Sequence, residues 1–70
     1  MGKIPGIAHL RAVKALERAG FGIARQGKHI VMTDGMRIVT IPRHDPVDAH
    51  TIGGIVRDAG LSPEQFRKLL

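Results

Sequence analysis

Residues 21–42, FGIARQGKHIVMTDGMRIVTIP, contain three short segments rich in residues that favour β-strands. Asp34-Gly35 lies between the second and third segments and is typical of a tight hairpin turn. Pro42 ends the third segment, because proline has no backbone N–H to donate to a neighbouring strand. The stretch therefore predicts a small antiparallel sheet. The predicted strands are 21–26, 29–33 and 36–41.

Helical signals flank the sheet on both sides. Ile4-Pro5-Gly6 is a breaker, so a first helix is expected to begin just after it and to stop at Gly20. Ser62-Pro63-Glu64-Gln65 starts a short C-terminal helix with a capping serine, a first-turn proline and a glutamine that completes a capping box. The apolar stripe of the first helix has helical spacing: Leu10, Ala12, Val13, Leu16 and Ala19.

A further helix is predicted at 50–59, although Gly53-Gly54 lies inside it. Each glycine costs about 1 kcal/mol in a helix relative to alanine. Two explanations are open: another backbone packs closely against the glycines, or the helix is shorter than predicted. Asp48 or Thr51 is expected to cap its N-terminus. The element order is α-β-β-β-α with a short C-terminal helix.

The predicted sheet has one covered face and one open face. If the hairpin turn has two residues, Thr33 pairs with Met36. The same register puts His29 opposite Thr40. The more uniformly apolar set of side chains is assigned to the core, which leaves His29 on the open face. The expected fold class is α+β, with a three-stranded antiparallel sheet and helices on one face. The two sets are His29, Val31, Ile38 and Thr40 on the open face, and Ile30, Met32, Val39 and Ile41 on the core face.

The chain is small, basic and free of cysteine. Its 70 residues are expected to form one domain, 1–70, and 11 Lys or Arg against 6 Asp or Glu give a formal charge of +5. This charge is typical of nucleic-acid binders, although ordinary solvated surfaces carry it too. The lack of cysteine excludes a disulfide scaffold and a thiolate metal site, and favours a cytoplasmic location. No membrane span or signal peptide is visible, so no membrane contact is expected.

Gly27-Lys28-His29, between the first two strands, is the candidate reactive segment. A histidine this close to lysine and arginine indicates a proton-transfer group aimed at a phosphate, where a base moves the proton and positive charge stabilises the phosphate oxygens. Histidine exchanges protons near neutral pH, and glycine lets a backbone approach closely. Arg25 and Arg37 are further sources of charge. A second interpretation stays open, in which His29 is an ordinary surface residue and Gly27 only ends the first strand.

Six segments follow one another in a specific order: Ala19-Gly20-Phe21, Gly27-Lys28-His29, Asp34-Gly35, Pro42-Arg43-His44, Ala59-Gly60-Leu61-Ser62 and Glu64-Gln65-Phe66. Together with the order α-β-β-β-α, they resemble the HicA toxins of bacterial toxin–antitoxin pairs. The resemblance covers nearly the whole chain. It implies a double-stranded-RNA-binding-domain-like fold, a metal-independent endoribonuclease that cuts messenger RNA, and a hetero-oligomer with an inhibiting HicB-type antitoxin.

The catalytic histidine of that family lies in a Gly-Ser-His signature, which carries over to His29. Lys28 replaces the serine here. The aromatic residue often found a few positions after the histidine is absent, since Val31 and Met32 stand there. We therefore expect His29 to be the catalytic residue. The expected RNA-binding residues are Gly27, Lys28, Arg25 and Arg37.

The other three histidines are weaker candidates. His44 either lies near the active site or hydrogen-bonds the loop backbone, and the structural role is preferred. His9 and His50 are expected to be solvated. None of the four histidines has metal-ligand spacing to another, so we assign no metal and no other cofactor. A basic strip along the first helix is expected either to track an RNA backbone or to be an ordinary solvated face: Lys3, Arg11, Lys14 and Arg18.

Two functions remain open. The first is an endoribonuclease toxin that uses His29. The second is a noncatalytic RNA-binding module with the same fold, which has lost activity through the change from serine to Lys28. Incubation with RNA in EDTA distinguishes cleavage from binding of intact RNA.

Overall fold

A computed structural model describes residues 6–70 of the chain. The elements are α1 (His9–Arg18), β1 (Gly22–Gln26), β2 (His29–Thr33), β3 (Ile38–Pro42), α2 (Ala49–Asp58) and α3 (Pro63–Leu69). The strands form one antiparallel sheet in the order β1-β2-β3, and the helices pack against one of its faces. The predicted α+β, double-stranded-RNA-binding-domain-like arrangement is confirmed. The first two residues of the predicted breaker, Ile4-Pro5, lie outside the described residues.

The core lies between the sheet and the helices. Alternate residues of β2 and β3 are buried there, which is the pattern of a sheet with one buried face and one solvent-exposed face. Both aromatic residues, Phe21 and Phe66, are also buried in this layer. Within residues 6–70, no helix is long and apolar enough to cross a membrane. The central core side chains are Leu16, Ile30, Met32, Val39, Ile41, Ile52, Val56 and Phe66.

The hairpin between β2 and β3 has a longer loop than the predicted two-residue turn. Thr33 pairs with Ile38 instead of Met36. The loop is held by the Asp34 carboxylate, which accepts hydrogen bonds from the backbone N–H groups of Met36 at 2.8 Å and Arg37 at 2.7 Å. An aspartate that bonds its own backbone in this way stabilises a wider turn. The predicted register was therefore wrong.

The error in register leaves the face assignment intact. His29 lies opposite Pro42, two positions beyond the predicted partner Thr40. Because side chains alternate with a period of two, a shift of two residues keeps each side chain on its face. The third strand accordingly runs over Ile38–Pro42 rather than 36–41, and it includes the proline at its last position.

Helix α2 passes through Gly53 and Gly54 without interruption and has ten residues, as predicted. A Cβ atom on either glycine would meet nothing within 4 Å, so no close backbone accounts for them. Both predicted explanations are wrong, and nothing in the structure explains the pair. Asp48 caps α2 by accepting a hydrogen bond from the Thr51 N–H at 3.1 Å. The predicted capping box of α3 is present.

Candidate functional site

His29 is the first residue of β2 and is exposed on the open face of the sheet. The next residue, Ile30, points to the opposite face and is buried in the core. The alternation along β2 therefore fixes the direction of the histidine ring. Within residues 6–70, the His29 side chain makes no hydrogen bond or ion pair. Its ring is free to meet a molecule that approaches the open face.

The loop before His29 is short and is supported by a residue that directly follows β3. The Gly27 N–H donates to the His29 carbonyl at 3.1 Å, which closes a tight turn around Lys28. The Arg43 Nη1 group donates to the Gly27 carbonyl at 3.1 Å, across 16 residues. A Cβ atom on Gly27 would meet nothing within 4 Å. The turn is thus fixed in place while the space around its glycine stays open.

The segment that carries Arg43 is itself fixed to α1. Asp45 accepts a hydrogen bond from the backbone N–H of His9 at 2.8 Å and contacts its Nδ1 atom at 2.6 Å. These hydrogen bonds, the backbone one above all, lower the pKa of the Asp45 carboxyl. Ala8 provides no side-chain cap, so Asp45 caps the positive end of α1. Two backbone hydrogen bonds between Ile7 and Val47 complete the attachment.

These contacts change the interpretation of two histidines. His9 is not solvated as predicted, because its side chain is only 15% exposed and is bonded to Asp45. His44 lies between Arg43 and Asp45, is exposed, and within residues 6–70 makes none of the backbone hydrogen bonds that its preferred structural role requires. One end of the sheet therefore brings together five residues, which we call the anchored end: Gly27, Lys28, His29, Arg43 and His44.

The two remaining candidates lie in different places. Arg25 pairs with Val31 after a bulge in β1, so it is exposed on the same face as His29. Arg37 is at the hairpin tip, one position beyond the Thr33–Ile38 pair, and so lies about 16 Å from His29 along the direction of β2. A Cβ atom on Gly60 would lie 2.7 Å from the Arg37 Nε atom, so the guanidinium lies over the α2–α3 connection. The structure brings Arg25 towards His29 and does not bring Arg37 there.

The predicted basic strip on α1 is smaller than expected. Arg18 donates to the Leu69 carbonyl and so covers the end of α3. Arg11 and Lys14 are exposed, and Lys3 lies outside the described residues.

Arg43 is the residue that sequence reasoning missed at the anchored end. Its position in the Pro42-Arg43-His44 segment was the available signal, but its contact with Gly27 depends on the register of the hairpin. The rest of the open face is partly apolar, with Ile38 68% exposed. Across residues 6–70, no group of three or more His, Cys, Asp or Glu side chains is arranged to hold a metal ion.

Comparison with known families identifies the class of protein that this fold and surface define. Residues 11–61 match the family model described as the HicA toxin of bacterial toxin-antitoxin systems. The match begins in the first turn of α1, contains the whole sheet and α2, and ends before α3. A search of curated proteins gives no match. The chain belongs to the HicA toxin family, whose members are toxins of bacterial toxin–antitoxin systems.

Proposed function

We propose that this protein is an endoribonuclease that cuts messenger RNA without a metal ion and uses His29 as its catalytic residue. The observation that supports this most is the position of His29 on the open face, next to Lys28, in a member of a toxin family. An exposed histidine without a protein partner has no evident role in stability. A proton-transfer role accounts for its exposure and for the basic side chains around it.

In the proposed reaction, His29 takes the proton from the 2′-hydroxyl of the RNA. The 2′-oxygen then attacks the adjacent phosphorus, and the bond from phosphorus to the 5′-oxygen breaks. The products are a 2′,3′-cyclic phosphate and, once the departing oxygen has taken up a proton, a new 5′-hydroxyl. Lys28 and Arg25 stabilise the negative charge that develops on the phosphate oxygens. The open space at Gly27 admits the RNA backbone.

Arg37 has a different role from Lys28 and Arg25 in the proposed function. Because it lies at the hairpin tip, it would contact RNA at a second point rather than at the scissile phosphate. A single-stranded RNA that runs along β2 from the anchored end would reach it only after several nucleotides.

The proposed regulator is a HicB-type antitoxin that forms a hetero-oligomer with the toxin in the cytoplasm. The open face offers such a partner the apolar side chains of Val31 and Ile38 and the basic side chain of Arg25, and the exposed Lys28 lies in the turn just before β2. An antitoxin with acidic residues facing these basic groups would associate faster at low salt. Coverage of the open face would remove His29 from solvent and stop cleavage.

The test of catalysis is incubation of purified protein with RNA in excess EDTA. His29→Ala is expected to slow cleavage by about 100-fold or more, the typical contribution of a general base. His50→Ala is the matched control, since His50 is an exposed histidine on α2, and it should cleave like the wild type. If the wild type binds RNA tightly but leaves it intact, the protein is a noncatalytic RNA-binding module and the proposed catalysis is wrong.

A further inference from the structure

We propose that His44 is a second catalytic residue, which donates a proton to the departing 5′-oxygen. This inference rests on the proposed ribonuclease function and adds the group that completes its chemistry. Cleavage of a phosphodiester by a neighbouring 2′-hydroxyl needs two proton transfers, one from the nucleophile and one to the leaving group. While His29 takes up the first proton, it is not available to give one, so a second group has to protonate the departing oxygen if both transfers occur in one step.

The position of His44 relative to His29 follows from the register of β2 and β3. His29 lies opposite Pro42, and His44 is two residues beyond that proline. Paired Cα atoms are about 5 Å apart and two residues span at most about 7 Å, so the Cα atoms of the two histidines are within about 12 Å. That separation suits two imidazole rings on opposite sides of one phosphate.

The backbone around His44 is held, although its side chain is not. Arg43 is bonded to the Gly27 carbonyl and Asp45 is bonded to His9 at the start of α1. Both neighbours in the sequence are therefore attached to other elements. The exposed His44 ring between them has no hydrogen-bond partner within residues 6–70. A backbone flanked by such attachments, carrying a free proton-transfer group, is the arrangement that a preorganised catalytic site requires.

The other histidines are less suited to this role. His9 has its Nδ1 atom engaged by Asp45 and its side chain largely covered. His50 belongs to α2, on the layer of helices that packs behind the sheet.

The proton balance of the proposed step is complete. Neutral His29 accepts the 2′-hydroxyl proton as the 2′-oxygen bonds to phosphorus. Protonated His44 gives its proton to the 5′-oxygen as that bond breaks. After the step, His29 carries the proton and His44 is neutral. Proton exchange with water restores the starting state.

A change of leaving group tests this assignment directly. The wild-type cleavage site is first mapped on a short RNA, and a second RNA is made with sulfur in place of the 5′-oxygen at that site. A thiolate leaves without protonation, because a thiol is a far stronger acid than an alcohol. A proton donor is then no longer needed, whereas a base for the 2′-hydroxyl still is.

Both substrates are assayed in EDTA with wild type, His29→Ala, His44→Ala and the control His50→Ala. We expect His44→Ala to cleave the normal RNA about 100-fold more slowly and the sulfur-substituted RNA at close to the wild-type rate. His29→Ala should be slow on both substrates, and His50→Ala should match the wild type on both. Thermal melting should be the same for wild type and His44→Ala; His44→Gln is used if the alanine variant is unstable.

Four outcomes would overturn the proposal. If the His44 variant cleaves normal RNA like the wild type, no proton from His44 is needed. If it is equally slow on both substrates, His44 binds or positions RNA rather than protonating the leaving group. Neither result affects the assignment of His29. If His29→Ala cleaves like the wild type, or the wild type cleaves neither substrate, the proposed function and this inference fail together.

Discussion

The two ends of the β2–β3 ladder are built in different ways. At the hairpin tip, Asp34–Arg37, the hydrogen bonds are local: Asp34 bonds residues two and three positions ahead, and the Thr33 hydroxyl donates to the Arg37 carbonyl. At the anchored end, the contacts join residues 16 and 36 positions apart. Local bonds suffice to close a turn. Long-range bonds hold chemically active side chains from separate segments in one place.

The largest expected effect comes from breaking the long-range contact at the anchored end. Arg43→Ala removes the donor to the Gly27 carbonyl and should slow single-turnover RNA cleavage by about 100-fold, the scale of loss that a small displacement of catalytic groups produces. Arg37→Ala, the same substitution at the hairpin tip, should stay within a few-fold of the wild type. Equal losses in the two variants would show that the long-range contact has no special role in the reaction.

The attachment of the anchored end to α1 should depend on pH. The lowered pKa of Asp45 arises mainly from its hydrogen bond to the His9 N–H. The ionised carboxylate therefore stabilises the fold at pH values above 3.8, the ordinary pKa of the group. That contribution is lost as pH falls through the lowered pKa. Asp45→Asn should therefore have a lower melting temperature than the wild type at pH 7. The difference between the two melting temperatures should narrow below pH 3.8.

Asp58→Asn is the matched control for this experiment, because Asp58 is exposed and has no hydrogen-bonded side chain among the described residues. Its melting temperature should follow that of the wild type throughout. If the difference in melting temperature between wild type and Asp45→Asn widens in acid, the assigned role of the carboxylate is contradicted.

The glycines at the two ends should respond in opposite ways. Gly35 has a φ of 95°, so Gly35→Ala should lower the free energy of unfolding by about 1–2 kcal/mol and leave cleavage unchanged. Gly27 has no such φ and open space around it, so Gly27→Ala should change stability by less than about 0.5 kcal/mol and weaken RNA cleavage. Denaturant unfolding and cleavage rates of both variants give the comparison. A large drop in the free energy of unfolding of Gly27→Ala, or a slower cleavage rate of Gly35→Ala, would contradict this difference between the two glycines.

The smallest expected effect concerns the charge at each end. Each phosphate contact to single-stranded RNA contributes about 0.7 to the slope of log affinity against log salt. Lys28→Glu should reduce that slope by at least this amount, and Arg37→Glu should reduce it less. Binding is measured on RNA made noncleavable by a 2′-deoxy group at the cut site. A larger loss from Arg37→Glu would place the main RNA contact at the hairpin tip.

The features that sequence predicted are those fixed by neighbouring residues. The strand limits of β2, the capping box at Ser62 and the division of β2 into two faces follow from local pattern. The exposure of His29 follows from the same alternation. The hairpin register escaped prediction because Asp34 suits a tight turn and also a wider loop closed by its own side chain.

The rest of the site depends on tertiary contacts that no local pattern encodes. The bond from Arg43 to Gly27 exists because Pro42 lies opposite His29, which only the true register reveals. The sequence predicts His9 as one more surface residue of α1, but in the fold Asp45 returns to the start of this helix and bonds it. Arg37 was predicted as a source of positive charge beside His29, whereas it lies in the four-residue loop at the opposite end of β2.

The central claim is that RNA is bound and cut at the anchored end. Backbone amide NMR shifts during titration with the noncleavable RNA test this most directly. The largest changes are expected on residues 27–29 and 43–44, with smaller changes at Arg25 and, where the RNA is long enough to reach the hairpin tip, at Arg37. Largest changes at the hairpin tip, or on the exposed face of α1 around Lys14, would contradict it.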